Sequence, residues 1–163
     1  MGAMIRAEAA DLPDDGAPKT PDRLRRRASR LLSQLTARSD RLINEGLAQA
    51  DARKWHYAVL ASLQEYGPGS QAELSSRSGI YRSDMVGVLN ELTERHLVER
   101  TPDPTDRRRN IITLSPRGRR HLRHLDNLLD TLHDDLLAPL TPAERTQLVQ
   151  LLTRLLDHHT GAA

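Results

Sequence analysis

Cysteine is absent from the 163 residues, and with it disulfides, thiolate metal sites and thiol-based redox sensing. Phenylalanine is absent too, and one Trp and three Tyr are all the aromatic side chains, so 27 Leu must supply most of the core. An aliphatic core with few β-branched runs favours helices over a sandwich or barrel. No aliphatic run is longer than Ala58–Ala61, so no segment spans a membrane or forms a secretory leader, and a cytoplasmic protein is expected. Catalytic signatures are missing: there is no G-x-S-x-G, no Gly-rich phosphate loop and no H-E-x-x-H, and the carboxylates are scattered. Neither an enzyme nor a cofactor is expected.

Lysine is scarce, since 22 of the 24 basic side chains are Arg and only Lys19 and Lys54 are not. Codon bias accounts for the bulk of that, so position is the informative part. Residues 1–76 carry a net +1, residues 77–124 a net +5 and residues 125–163 a net −4. A basic middle followed by an acidic end is the pattern of a polyanion-binding module joined to something else. The stretch from Asp106 to Arg120 alone holds six Arg against one Asp.

Residues 1–19 lack an apolar period and read as a disordered tail. Beyond them, Thr20-Pro21, Ser115-Pro116 and Thr141-Pro142 each place a hydroxyl cap before a Pro at the first helical position. Ser70-Gln-Ala-Glu73 and Thr141-Pro-Ala-Glu144 are capping boxes. Helices are therefore expected to start near 20, 70, 115 and 141, the first running over about 21–47 and another over about 51–66. Leu122, Leu125, Leu129, Leu132 and Leu136 step at heptad-like spacing, and Leu148, Leu151, Leu152, Leu155 and Leu156 mark the last helix. Leu-rich helices at both chain ends suggest packing on each other and on a second copy, with a monomeric bundle as the alternative.

Between them, Ser70 caps a short helix to about Ser78, Gly79 breaks it, and a second helix runs from about Tyr81 to Arg95. Leu74, small Ser75, Gly79, Ile80, Met85, Val88 and Leu89 give the inner face of a helix-turn-helix. Leu97–Thr101 and Asn110–Leu114 then read as two strands joined by Pro102-Asp-Pro-Thr-Asp-Arg-Arg-Arg109, a basic hairpin. The whole is a winged helix: mostly α with a small β-hairpin wing, its second helix suited to the major groove and its Arg-bearing wing to an adjacent minor groove. Arg117, Arg119 and Arg120 follow at the wing base, where they would add phosphate contacts.

The stretch from Leu97 to Gly118 resembles the wing signature of MarR-family bacterial transcriptional regulators. Asp106-x-Arg108 followed by a β-run and Leu114-Ser-Pro-Arg-Gly118 is its most specific part, and helix order is similar over roughly residues 21–159. The resemblance implies a homodimer on a pseudo-palindromic operator, repressing transcription until a small aromatic or anionic ligand lodges between the dimer helices and the winged block. In that frame residues 20–50 and 115–159 form the dimerisation region and 51–114 the DNA-binding region of one intertwined domain. It also implies that Asp106 braces the wing, that Arg108 lies near its tip in the minor groove, and that Arg107 and Arg109 bind phosphate. Gln71, Arg77, Arg82, Ser83 and Asn90 are the candidate DNA-contacting residues of the helix pair.

Three departures from the family pattern involve four positions. His96 stands where Gly normally ends the recognition helix, so it must accept a left-handed backbone or the end must be built differently. Tyr81 stands at a capping position, leaving Ser83 as the alternative cap. Asp84 and Gly87 thin the outward face of the helix, which shifts weight to the wing and to DNA shape.

Trp55-His56-Tyr57 is the densest aromatic spot, read either as packing or as the wall of a ligand pocket. His121 and His124 lie three apart on one helix; without a third ligand they read as solvated or hydrogen-bonded rather than metal-binding, or else as lining a ligand pocket or touching phosphate. Two other functions fit the same residues: a constitutive DNA-binding protein of low specificity, and a protein–protein adaptor that has lost DNA binding.

Overall fold

The computed structural model describes residues 20–161, so the expected tail at 1–19 lies outside the described residues. In chain order the elements are α1 (Asp22–Arg25), α2 (Ala28–Gln49), α3 (Lys54–Tyr66), β1 (Gly69–Ser70), α4 (Gln71–Ser78), α5 (Arg82–Glu94), β2 (Val98–Pro102), β3 (Asn110–Leu114), α6 (Pro116–Leu136) and α7 (Pro142–Thr160). One compact unit ends at Ala37 and a second begins at Arg38.

In the first unit the single helix expected over 21–47 is interrupted. Pro21 occupies the N-cap of α1 with an extended backbone and no side-chain cap bond, so Thr20 does not cap it. The turn closes at Arg26, and α2 starts only at Ala28. Arg23, Arg25, Arg26 and Arg27 crowd like charges into one turn, and Leu24 is exposed, so no buried face holds that turn in register. Leu31, Leu32 and Leu35 of α2 are exposed as well.

The second unit holds the core. Leu47 of α2, Val59 and Leu60 of α3, Leu74 of α4, Met85, Leu89 and Leu92 of α5, Val98 and Ile112 of the sheet, and Leu125 of α6 are all buried in one cluster. α2 ends in a Schellman motif: Asp51 takes the left-handed position at φ 52°, and the Ala52 N–H reaches the Leu47 carbonyl at 2.9 Å. That terminus is why α3 begins at Lys54 rather than near 51. The Arg53 N–H at its start donates to His56 Nδ1 at 3.2 Å.

Ser70 and Glu73 form the expected capping box of α4, and Gly79 ends it at φ 68°. Buried Ser75 stands where α4 meets the turn, its hydroxyl donating to the Ile80 carbonyl. The sheet is antiparallel in the order β1–β3–β2. Its hairpin pairs Val98 with Leu114 and Pro102 with Asn110, one residue later on the first strand than the alternation suggests. A third strand not expected from the sequence, the two residues of β1, pairs Gly69 with Ile112.

α5 also ends in a Schellman motif, with His96 left-handed at φ 56° and the Leu97 N–H on the Leu92 carbonyl at 2.9 Å. The start of α6 locks onto that end. Ser115 Oγ accepts the Gly118 N–H at 2.9 Å and lies 2.7 Å from the His96 carbonyl. Gly118 is buried so closely that a Cβ there would meet the Leu97 carbonyl oxygen at 2.0 Å. α7 carries the expected Thr141–Glu144 capping box, yet none of its described residues is buried, and Leu151, Leu152, Leu155 and Leu156 are exposed. No described helix is long and apolar enough to cross a membrane.

Candidate nucleic-acid interface

α5 presents its surface in a way set by helical period. Met85, Val88, Leu89 and Leu92 are buried, which leaves Ser83, Gly87, Asn90 and Glu94 opposite them and Val86 on the flank. Ser83 does not cap the helix: Tyr81 holds the N-cap position without a side-chain bond, and the Ser83 hydroxyl lies 3.4 Å from Asp84 Oδ1. Asp84 at the first turn complements the helix dipole instead. Across its length α5 carries Arg82 against Asp84, Glu91 and Glu94, so the helix is net negative.

Asn90 is tied back: Arg100 Nη2 on β2 donates to its Oδ1 at 2.7 Å. The paired acceptor and donor that an Asn needs to read adenine are thus partly spent inside the protein. Gln71 Nε2 reaches the Arg82 carbonyl at 3.5 Å and so joins the starts of α4 and α5. Arg77 turns toward the α3–β1 connection, donating to the Gly67 carbonyl at 3.3 Å with its guanidinium 5.7 Å from the Tyr66 ring centroid.

The wing tip is shaped by two aspartates. Asp103 accepts the Thr105 N–H at 2.8 Å and its hydroxyl at 2.7 Å, which holds the carboxyl below its ordinary range. Asp106 accepts the Arg108 N–H at 3.1 Å. The Asp103 N–H bonds the Arg109 carbonyl and the Arg109 N–H the Asp106 carbonyl, each at 2.9 Å, closing the loop. Arg107, Arg108 and Arg109 are exposed, and none is in an ion pair among the described residues.

A cleft of about 320 Å³ opens between the start of α4, α5 and the wing, with Gln71, Arg82, Arg100, Arg108 and Arg109 among its lining residues. It therefore brings together four of the DNA-contacting candidates and adds Arg100. Ser83, Asn90, Arg77 and Arg107 lie outside it. Arg100 escapes a reading of the sequence because it stands two after Val98, on the face that strand alternation turns inward, and yet is exposed. Guanidinium groups without carboxylate partners around one cleft are suited to phosphate oxygens.

Trp55, His56 and Tyr57 are not brought together. As consecutive residues of a helix they point three ways: Trp55 into solvent, His56 toward α5 and Tyr57 toward α6. His56 is buried; with Nδ1 accepting from Arg53, its Nε2 donates to Glu91 Oε2 at 2.8 Å. Burial holds its pKa below the ordinary value, and Arg53 and His56 together hold Glu91 low. The Tyr57 hydroxyl donates to Asp126 at 2.9 Å, and burial with that carboxylate pushes it up to about 12. Arg95, at the end of α5, donates to the Asp51 carbonyl at 2.6 Å. α5 is thus latched to the α2–α3 region at two points.

His124 is exposed, as the solvated reading has it, and His121 is half-buried. The Nε2 of His121 is buried with no hydrogen-bond partner among the described residues, and the pKa of that imidazole is lowered, chiefly by burial. No group of three or more metal-ligating side chains occurs among the described residues.

Comparison with known proteins gives a consistent answer. The family model described as "MarR family" matches residues 55–109. The HTH-type transcriptional repressor NicR of Pseudomonas putida is 25% identical over 143 residues, 88% of this chain and 90% of its own. Among solved structures, a probable transcriptional regulator from Pseudomonas aeruginosa is 31% identical with a TM-score of 0.70, over 81% of this chain and 98% of that one. Bordetella bronchiseptica BpsR, a protein whose DNA binding is regulated by 6-hydroxynicotinic acid, is 25% identical with a TM-score of 0.71, over 81% and 94%.

Proposed function

From the premise that the chain belongs to the MarR family of transcriptional regulators, we propose that it is a homodimeric repressor of a pseudo-palindromic operator, released by a small aromatic or anionic ligand. The observation that carries this reading is the unpaired Arg107–Arg109 wing beside the Arg-lined cleft, set on a helix-turn-helix. Phosphate contacts from those guanidinium groups supply affinity, and the start of α5 enters the major groove. The exposed leucines of α7 support dimerisation, because an apolar stripe of that length is otherwise left in water.

The ligand acts on the setting of α5. Glu91 to His56 and Arg95 to Asp51 hold that helix against the α2–α3 region, and Tyr57 to Asp126 ties α3 to α6. A ligand seated beside His56, satisfying the orphaned His121 Nε2, would favour a dimer whose two recognition helices no longer match half-sites one helical turn apart. BpsR, whose DNA binding is regulated by 6-hydroxynicotinic acid, supports that choice of ligand class, and NicR supports the repressor reading.

A gel-shift titration against the DNA upstream of its own gene tests the proposal. Retardation at protein concentrations at least a hundredfold below those needed for unrelated DNA is expected, with release by one member of an aromatic carboxylate panel. Equal retardation of both DNAs favours the constitutive low-specificity alternative, and none at all favours the adaptor.

A further inference from the structure

Three positions at or near the start of α5 break local rules of helix building. Tyr81 holds an N-cap without a cap bond and is 80% exposed, although the other long helix starts of the second unit use Ser or Thr wherever no backbone–His bond serves. Val86 is a β-branched residue 45% exposed on a helix. Gly87 sits mid-helix with ordinary backbone angles, and a Cβ built there would meet nothing within 4 Å. Neither packing nor a turn requires that glycine, and helix propensity opposes it. Clustered violations of this kind are expected where a surface is shaped for a partner. Polar readout from the outward face is meagre: Asn90 is engaged by Arg100, the Ser83 hydroxyl lies 3.4 Å from Asp84 Oδ1, Arg82 turns into the cleft, and Asp84 and Glu94 are acidic.

We propose that α5 selects its DNA site by apolar contact with thymine methyl groups, made by Val86 and the Tyr81 ring, with Gly87 leaving room for the base edges to approach. The thymine C5-methyl is the one apolar mark in the major groove, and a side chain without donors or acceptors reads it by burial alone. Cytosine at that position would present an amino donor to Val86, which cannot answer it. The inference rests on the reading of the chain as a sequence-specific DNA-binding dimer.

The experiment selects sites for the full chain from a random duplex pool, then replaces thymidine by deoxyuridine symmetrically in both half-sites. That swap removes the methyl and keeps every hydrogen-bonding group. At one or more positions affinity should fall roughly fifteenfold, about fourfold for each buried methyl. In V86A the same swap should change affinity less than twofold, and G87A should raise Tm by about 2–4 °C while weakening the selected site. The inference is overturned if no swap changes affinity by more than twofold, or if V86A responds to the swaps as the wild type does. A pool that yields no preferred sequence instead counts against sequence-specific binding itself.

Discussion

Gly118→Ala is the perturbation whose outcome follows most directly from the packing. Helix propensity alone favours Ala over Gly by about 1 kcal/mol, so a surface glycine in α6 would gain stability on substitution. Here the new Cβ would stand 2.0 Å from the Leu97 carbonyl oxygen and 2.7 Å from Leu114 Cδ1. That carbonyl has little freedom to retreat: it accepts the Ser115 N–H at 3.1 Å, and the Leu97 N–H is itself bound to the Leu92 carbonyl at 2.9 Å. Relieving the overlap costs about 1–3 kcal/mol, and breaking the Ser115 bonds that join the wing base to α6 adds about 1 kcal/mol. Set against the propensity gain, the net loss is about 1–3 kcal/mol. Thermal unfolding followed by circular dichroism should show Tm lower by roughly 2–12 °C. G87A, expected to move the opposite way, is the internal control. An unchanged or higher Tm in G118A would refute the close approach.

Three further outcomes follow. His96→Gly removes a left-handed non-glycine residue and should raise stability by about 1 kcal/mol, read as a higher denaturant midpoint with an unchanged slope. Tyr57→Phe removes the bond to Asp126 and should cost about 1 kcal/mol by the same assay; an unchanged midpoint would mean that α3 and α6 are joined by apolar packing alone. Acidification should destabilise the fold: His56 and His121 bind protons less readily folded than unfolded, so stability falls as pH drops below about 6.5 toward their folded values. A Tm that holds or rises between pH 7.5 and 5.5 contradicts that sign.

Where a local signal carries its own chemistry, the sequence is enough. Ser70 with Glu73, Ser115 before Pro116, Thr141 with Glu144, and Gly79 all do in the structure what their residue types dictate. The wing is legible for the same reason, since two alternating runs flank Pro and Asp turn residues. Features set by distant partners are not. β1 is two residues long and hidden under the cap of α4, and nothing near Asn90 announces that Arg100 will hold it. Residues 55–57 look like one aromatic spot in the sequence, but neighbours on a helix point apart, and each finds a different environment. The interruption at Arg26 is a case of charge density without burial overriding good helix formers.

The central claim is that the wing arginines hold the protein on its operator. Its most direct test is the salt dependence of operator binding for the wild type and Arg108→Ala. Removing one DNA-facing guanidinium from each wing of a dimer should flatten the slope of log K against log salt by about 2 and weaken binding at low salt. Identical affinity and an identical slope for the two proteins would contradict the claim.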